Sequence, residues 1–219
     1  GFMAAMVWLA LAQDLLLLFV CWDVTAIASY FLIGFDRQHA ASQRAALMAM
    51  LVTGGGAVFF LVGGAWLAMA TGTFDLAGVA SSLPPGPAAT AAVTAIAIAA
   101  LAKSAQAPLH FWLPRAMAAP TPVSAYLHSA AMVAAGVYLL ARIYPLLTQL
   151  PVLLDGLVIV GFASMSVGGV LALASDEVKR LLAYSTIAQY GYVVVLLGVD
   201  PEFGPPAAAF AVVARDVAK

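Results

Sequence analysis

Long apolar runs separated by short polar or proline-rich joints organise this chain. Crossing a bilayer's hydrocarbon core takes about 20 apolar residues. Runs of that kind fall at 14–35, 45–70, 88–112, 121–143, 152–174 and 178–198, with shorter ones at 1–13 and from about 206 to 219. The joints carry turn chemistry: Asp36-Arg37-Gln38-His39, Pro84-Pro85-Gly86-Pro87, Pro114 to Pro122, Asp200-Pro201 and Gly204-Pro205-Pro206. Lipid offers no water to backbone amides, so spans of this length are helical. The pattern predicts an all-α, polytopic membrane helical bundle with about eight transmembrane segments. The chain opens inside an apolar run at Gly1-Phe2-Met3 and closes a few residues into another at Lys219, as a fragment of a longer protein would.

One internal repeat stands out. Leu9-Ala10-Leu11-Ala12-Gln13-Asp14 matches Leu171-Ala172-Leu173-Ala174-Ser175-Asp176 in five of six positions, at an offset of 162. The same offset pairs Ala26 with Ala188 and Tyr30 with Tyr192. Counting spans puts Asp14 and Asp176 on opposite faces of the membrane, so the repeat is inverted, as in many secondary transporters. Chance matching of Ala/Leu-rich helices is the alternative. Orientation follows from Lys and Arg in short loops. One side receives Arg37, Arg44, Arg115, Lys179 and Arg180, the other only Arg142. That bias places the loops 36–44, 113–120 and 175–180 in the cytoplasm of a multi-pass protein of the cell (inner) membrane.

Composition sharpens the class. Apolar residues make up 64% of the 219 positions and charged ones only 9%, against about 25% in a soluble domain. A net charge of −1 supplies no basic face for nucleic acid. The single cysteine, Cys21, rules out a disulfide framework and a cysteine-based metal site. No haem, flavin or iron–sulfur ligation pattern is present, so no cofactor or metal is expected.

Ionisable residues at bilayer depth are costly and tend to mark function. Lys103 lies about fifteen residues into the 88–112 run, ~22 Å from its starting face at ~1.5 Å per residue. Pro108 follows it and cannot supply the amide that would bond Ser104, so a discontinuous helix is expected just past the lysine. Freed carbonyls and Gln106 could hold water or an ion there. Low dielectric disfavours the charged form of a lysine, which suits a proton carrier; the alternative is a structural lysine snorkelling to an interface. Asp23 lies ~13 Å into its span and is the natural partner, a pair whose spacing could switch a proton; the alternative is a polar anchor bonding Thr25. His128, about seven residues into the 121–143 run, suits a relay step, or a histidine satisfied by a backbone carbonyl. His110, Gln106, Lys179 and Lys219 are secondary candidates for relay or ion contact.

The stretch from Lys103-Ser104-Ala105-Gln106-Ala107-Pro108-Leu109-His110-Phe111-Trp112-Leu113-Pro114 through Pro120-Thr121-Pro122-Val123-Ser124-Ala125-Tyr126-Leu127-His128-Ser129 is highly specific. Gly136 to Arg142, and Asp176-Glu177-Val178-Lys179-Arg180-Leu181-Leu182-Ala183-Tyr184-Ser185, support it. Together they resemble the antiporter-like subunits shared by respiratory complex I and the Mrp-type multisubunit cation/proton antiporters. Ile33-Gly34-Phe35-Asp36 and His110-Phe111-Trp112 look most like the large antiporter-like subunit of the Mrp type. The resemblance implies an inverted-repeat transporter core of fourteen helices, with 1–150 holding most of the first repeat and 151–219 the start of the second. It puts the family's essential acid on Asp23, its broken-helix lysine on Lys103 and its relay histidine on His128. Three departures stand out. Asp23 replaces the usual Glu, and Ala134 stands where many relatives have lysine. Arg215 and Lys219 stand near a degraded histidine-to-lysine motif.

The leading functional reading is a proton-translocating subunit of a multisubunit Na⁺/H⁺ antiporter, or one for another monovalent cation, working through a Lys103/Asp23/His128 relay without covalent catalysis. Its partners would be other membrane subunits, the ions and the lipid bilayer. The same core could serve a redox-driven proton pump of complex I (NADH:quinone oxidoreductase) or a membrane hydrogenase. A non-conducting scaffold is the third reading, and burying both Asp23 and Lys103 argues against it. A haem site on His110 and His128 is disfavoured because the Pro114–Pro122 connection separates them.

Overall fold

Two aspartates start two helices and are tied to each other. Asp14 caps α2 (Leu15–Ile33) by accepting from the Leu17 amide at 2.7 Å, and Asp75 caps α4 (Leu76–Ser81) by accepting from Gly78 at 2.8 Å. Around them the backbone forms an isolated antiparallel bridge, with the Leu15 amide on the Phe74 carbonyl and the Leu76 amide on that of Gln13. This computed structural model describes residues 1–126 and 131–218. The remaining helices are α1 (Phe2–Leu11), α3 (Ala40–Thr71), α5 (Pro87–Lys103), α6 (Trp112–Ala116), α7 (Thr121–Tyr126), α8 (Met132–Arg142), α9 (Tyr144–Leu147), α10 (Pro151–Leu173), α11 (Val178–Val199) and α12 (Gly204–Ala218), with a 3-10 turn over Leu109–Phe111. No strand occurs among the described residues.

Helix ends follow local chemistry. Pro87 and Pro151 stand in the first turns of α5 and α10, where a missing amide costs nothing. α3 stops at Gly72, whose φ of 75° is left-handed and suits glycine.

Packing divides the chain into two contacting groups. α2 and α5 flank α3, α8 packs on α5, and α1 lies on α2; α10 and α12 flank α11. α6 and α8 both reach α11 and join the groups. The α10–α11 seam uses small residues for close approach. A Cβ on Gly161 would stand 2.7 Å from the Gly191 carbonyl, and one on Gly191 would stand 2.8 Å from that of Gly161. Lipid gives no hydrophobic drive between helices, so such close backbone packing carries the association. The outer surface is apolar, with Leu173 92% and Met69 85% exposed.

Four helices, α2, α3, α10 and α11, are long and apolar enough to cross a membrane, and α1, α5 and α8 are shorter apolar helices. The run expected at 45–70 is longer as a helix. α3 begins at Ala40, so Arg44 sits on it and the preceding connection shrinks. Ala, Gln and Arg are good helix formers, so polarity ends the apolar span without ending the helix. The apolar run 88–112 forms α5, a non-helical break, the 3-10 turn and α6, the discontinuous helix expected past Lys103. The run 121–143 becomes α7 and α8, with 127–130 outside the described residues.

Candidate functional site

Lys103 is the last residue of α5 and is fully buried. The break therefore starts at the lysine itself, several residues before Pro108. Ser104 caps the helix, Ala105 takes a φ of 53°, and the Ala107–Pro108 peptide is cis. Several carbonyls around the break have partners, among them that of Ser104, which Pro108 alone would leave free. The carbonyl of Ala100 accepts from the Ser104 amide, that of Leu101 from the Gln106 amide, and that of Ala102 from the Trp112 indole at 3.0 Å. Gln106 turns its amide nitrogen onto the Ser104 carbonyl at 2.8 Å. Among the described residues its buried Oε1 has no hydrogen-bond partner, nor does the Trp22 indole nitrogen or Nδ1 of His110. The break is fastened to the second helix group, because the Ala107 amide donates to Ser164 Oγ on α10 at 2.8 Å.

The lysine reaches across to α2. Its Nζ donates to the Trp22 carbonyl at 2.8 Å and to Thr25 Oγ1 at 2.5 Å, and lies 4.0 Å from the centroid of the Trp22 ring. Thr25 donates its own hydrogen to that same carbonyl at 2.7 Å. Trp22 is held edge-on by Phe60 of α3, ring centroids 5.7 Å apart. Trp22 and Thr25 are fully buried.

Asp23, the neighbour of Trp22, lies half-buried on α2. Its charge acts on Lys103 electrostatically, but no carboxylate is in ion-pair contact with Lys103 among the described residues. The sequence places both the acid and the lysine inside the bilayer core; the structure adds that Trp22 and Thr25 stand in direct contact with the lysine. Position three after Trp22, facing inward on the same helix, was the available signal for Thr25.

The other candidates fall elsewhere. His128 and Lys219 lie outside the described residues. His110 lies on the 3-10 turn and lines a cleft of about 760 Å³ with Arg44, Arg115, Glu177, Arg180 and Tyr184. Lys179, at the start of α11, donates to the Ala119 carbonyl at 3.3 Å. A second buried cation is Arg215 on α12. It donates to Gln189 Oε1 at 3.0 Å, to the Tyr190 hydroxyl at 2.7 Å and to Thr186 Oγ1 at 3.2 Å.

A buried lysine at a helix break, inside a bundle of membrane-length helices, is the arrangement anticipated from the 103–129 motif. Known proteins resemble the chain over nearly its whole length. The solved Mrp complex from Dietzia sp. superposes with a TM-score of 0.89 at 41% identity, over 99% of this chain and 24% of that one. A probable K(+)/H(+) antiporter component of Rhizobium meliloti is 39% identical over 97% of this chain, and an NAD(P)H-quinone oxidoreductase chain 5 of Synechocystis is 38% identical over 90%. The chain spans 22% and 30% of the lengths of those two relatives. Residues 12–215, with Lys103 and its α2 partners among them, match one transmembrane family, and the chain belongs to it: NADH:quinone oxidoreductase/Mrp antiporter.

Proposed function

We propose that this chain carries the proton-loading part of a monovalent cation/proton exchange path, Na⁺ against H⁺, within a multisubunit complex of the cell (inner) membrane. Lys103 is the carrier, Asp23 tunes it by charge, and His128 takes the next step, as the family resemblance implies. The carrying observation is that Lys103 is fully buried at a helix break and that, among the described residues, its contacts are neutral acceptors. Burying a cation without a contacting counter-ion is costly, by several kcal/mol, and a packing scaffold has no reason to bear that cost. The loops 36–44, 113–120 and 175–180 face the cytoplasm on this reading. The starts of α2 at Leu15 and α11 at Val178 keep the repeat offset to within one residue, which supports a first repeat over 1–150 and a second from 151.

Likeness to the Synechocystis quinone oxidoreductase chain supports a second reading, in which the same lysine serves a redox-driven proton pump whose driver lies in other subunits. One experiment separates the readings. Inverted vesicles carrying the complete complex are given Na⁺, K⁺ or Li⁺ and the collapse of ΔpH is followed. Exchange that is lost in Lys103→Ala supports the antiporter reading, and the preferred ion identifies the cargo; the name of the Rhizobium relative makes K⁺ the first alternative. ΔpH that ignores all three ions but is built by a quinone-linked reductant supports the pump. Lys103→Ala with undiminished proton movement refutes both roles for the lysine.

A further inference from the structure

We infer that Trp22 and Thr25 form an ammonium cage that holds Lys103 in its proton-loaded position, with Thr25 as the positioning residue. This deepens the exchange reading and rests on it. A lysine ammonium has three N–H donors and no acceptor. Around Nζ stand three electron-rich groups: the Trp22 carbonyl at 2.8 Å, Thr25 Oγ1 at 2.5 Å and the Trp22 ring face at 4.0 Å. A ring face attracts a cation, more strongly when both are out of water. The count of donors and acceptors therefore closes for the ammonium.

It does not close for the neutral amine, which has two N–H donors and a lone pair. With the Thr25 hydroxyl turned to the Trp22 carbonyl, nothing in the cage donates to that lone pair. The Thr25 hydrogen is committed to the Trp22 carbonyl at 2.7 Å, so Thr25 can donate to a neutral amine only by breaking that bond. The Trp22 indole nitrogen, the other local donor, is part of the ring that Nζ faces and has no hydrogen-bond partner. A lysine that has passed on its proton thus loses its reason to stay, while one that has gained a proton is recaptured. The cage separates two jobs the family motif assigns to one pair: Asp23 supplies charge from a distance, and Thr25 supplies the seat. Phe60 fixes the ring that forms the seat's floor.

The charged or titratable groups on the elements around α5 are Cys21, Asp23 and Tyr30 on α2, Arg44 on α3, Arg115 on α6, Tyr138 and Arg142 on α8 and His110 on the turn; of these, Asp23 is the one next in sequence to the cage residue Trp22.

The test uses the complete complex in inverted vesicles, comparing wild type with Thr25→Val, Thr25→Ala, Thr25→Ser and Lys103→Ala at equal assembled amounts. Val keeps the shape of Thr and Ala is small enough to fit, so at least one hydroxyl-free variant reads out even if the other fails to assemble. The maximal exchange rate falls roughly 10- to 100-fold in both, the range for losing a hydrogen bond to a charged group. The cation concentration for half-maximal exchange stays put, because the cage holds the carrier and not the cargo. Thr25→Ser recovers most of the rate. Wild-type rates in Thr25→Ala or Thr25→Val overturn the cage, as does a Thr25→Ser variant as slow as Thr25→Ala. Lys103→Ala distinguishes the failures: an inactive Lys103→Ala beside an active Thr25→Ala sinks the cage alone, and an active Lys103→Ala sinks the exchange reading and the cage with it.

Discussion

The side-chain nitrogen of Lys103 and the hydroxyl of Thr25, 78 residues apart in sequence, meet at 2.5 Å inside the helix bundle. The contact joins the cut end of α5 to the middle of α2 and needs no carboxylate.

Lys103→Met tests whether the lysine is there for stability. A buried charge replaced by an apolar group of similar length is often neutral or stabilising by about 1–4 kcal/mol. The melting temperature of the assembled complex is therefore expected to hold or rise in Lys103→Met while exchange is lost. A marked drop in melting temperature would make the lysine a structural pin.

The helical spans were readable because lipid imposes one backbone solution on any long apolar run. Lys103 was readable because a cation in such a run is rare. The partner was not, since Asp23 carries the obvious charge and Thr25 looks like any helix threonine satisfied by its own backbone. A break just past the lysine was readable because Pro108 is a visible breaker; that α5 ends at Lys103 itself, through a left-handed Ala105, is what no residue type announces. Trp112 reaching back to the Ala102 carbonyl is a tertiary contact, invisible to periodicity.

The seat of Lys103 depends on α8 coming close. A Cβ on Gly136 would stand 2.7 Å from the Ser104 amide nitrogen at the end of α5. Gly136→Ala must push α8 off that turn, at the ~1–3 kcal/mol typical of overpacking, and shift the lysine against Trp22. Gly169 on α10 has nothing within 4 Å of the same position, so Gly169→Ala should be neutral or stabilise by up to about 1 kcal/mol. Melting temperatures of the two variants, with exchange measured alongside, check the contrast; equal effects would deny the close approach.

Outside the spanning helices, Tyr144 on α9 brings its hydroxyl within 3.4 Å of the Asp200 carbonyl. Burial first, and the Asp200 charge second, push its ionisation above the ordinary tyrosine value. A proton held more tightly in the folded chain than in the unfolded one stabilises the fold below the usual tyrosine pKa of ~10. That contribution is lost as pH rises through the higher folded value. Melting temperature measured from neutral to strongly alkaline pH is expected to fall more steeply for wild type than for Tyr144→Phe. Parallel curves would place the phenol in free solvent.

Arg215 is the other buried cation among the described residues, and its geometry points to anchoring. The guanidinium spreads over Gln189, Tyr190 and Thr186 on α11 and lies 4.2 Å from the Tyr190 ring centroid. A guanidinium stays charged at any physiological pH, so it cannot pass a proton on. Its fan of donors matches three acceptors on consecutive turns, which the single point charge of a lysine does not. Arg215→Lys is therefore expected to weaken the docking of α12 on α11 by about 1–3 kcal/mol, the cost of leaving buried polar partners unmet. Limited proteolysis in the 200–204 connection would report this as faster cleavage, and the assembled amount would fall. Exchange per assembled complex should stay near wild type, because the Lys103 seat on α2 is untouched. Loss of exchange in Arg215→Lys complexes that assemble normally would instead place Arg215 on the ion path as a fixed charge.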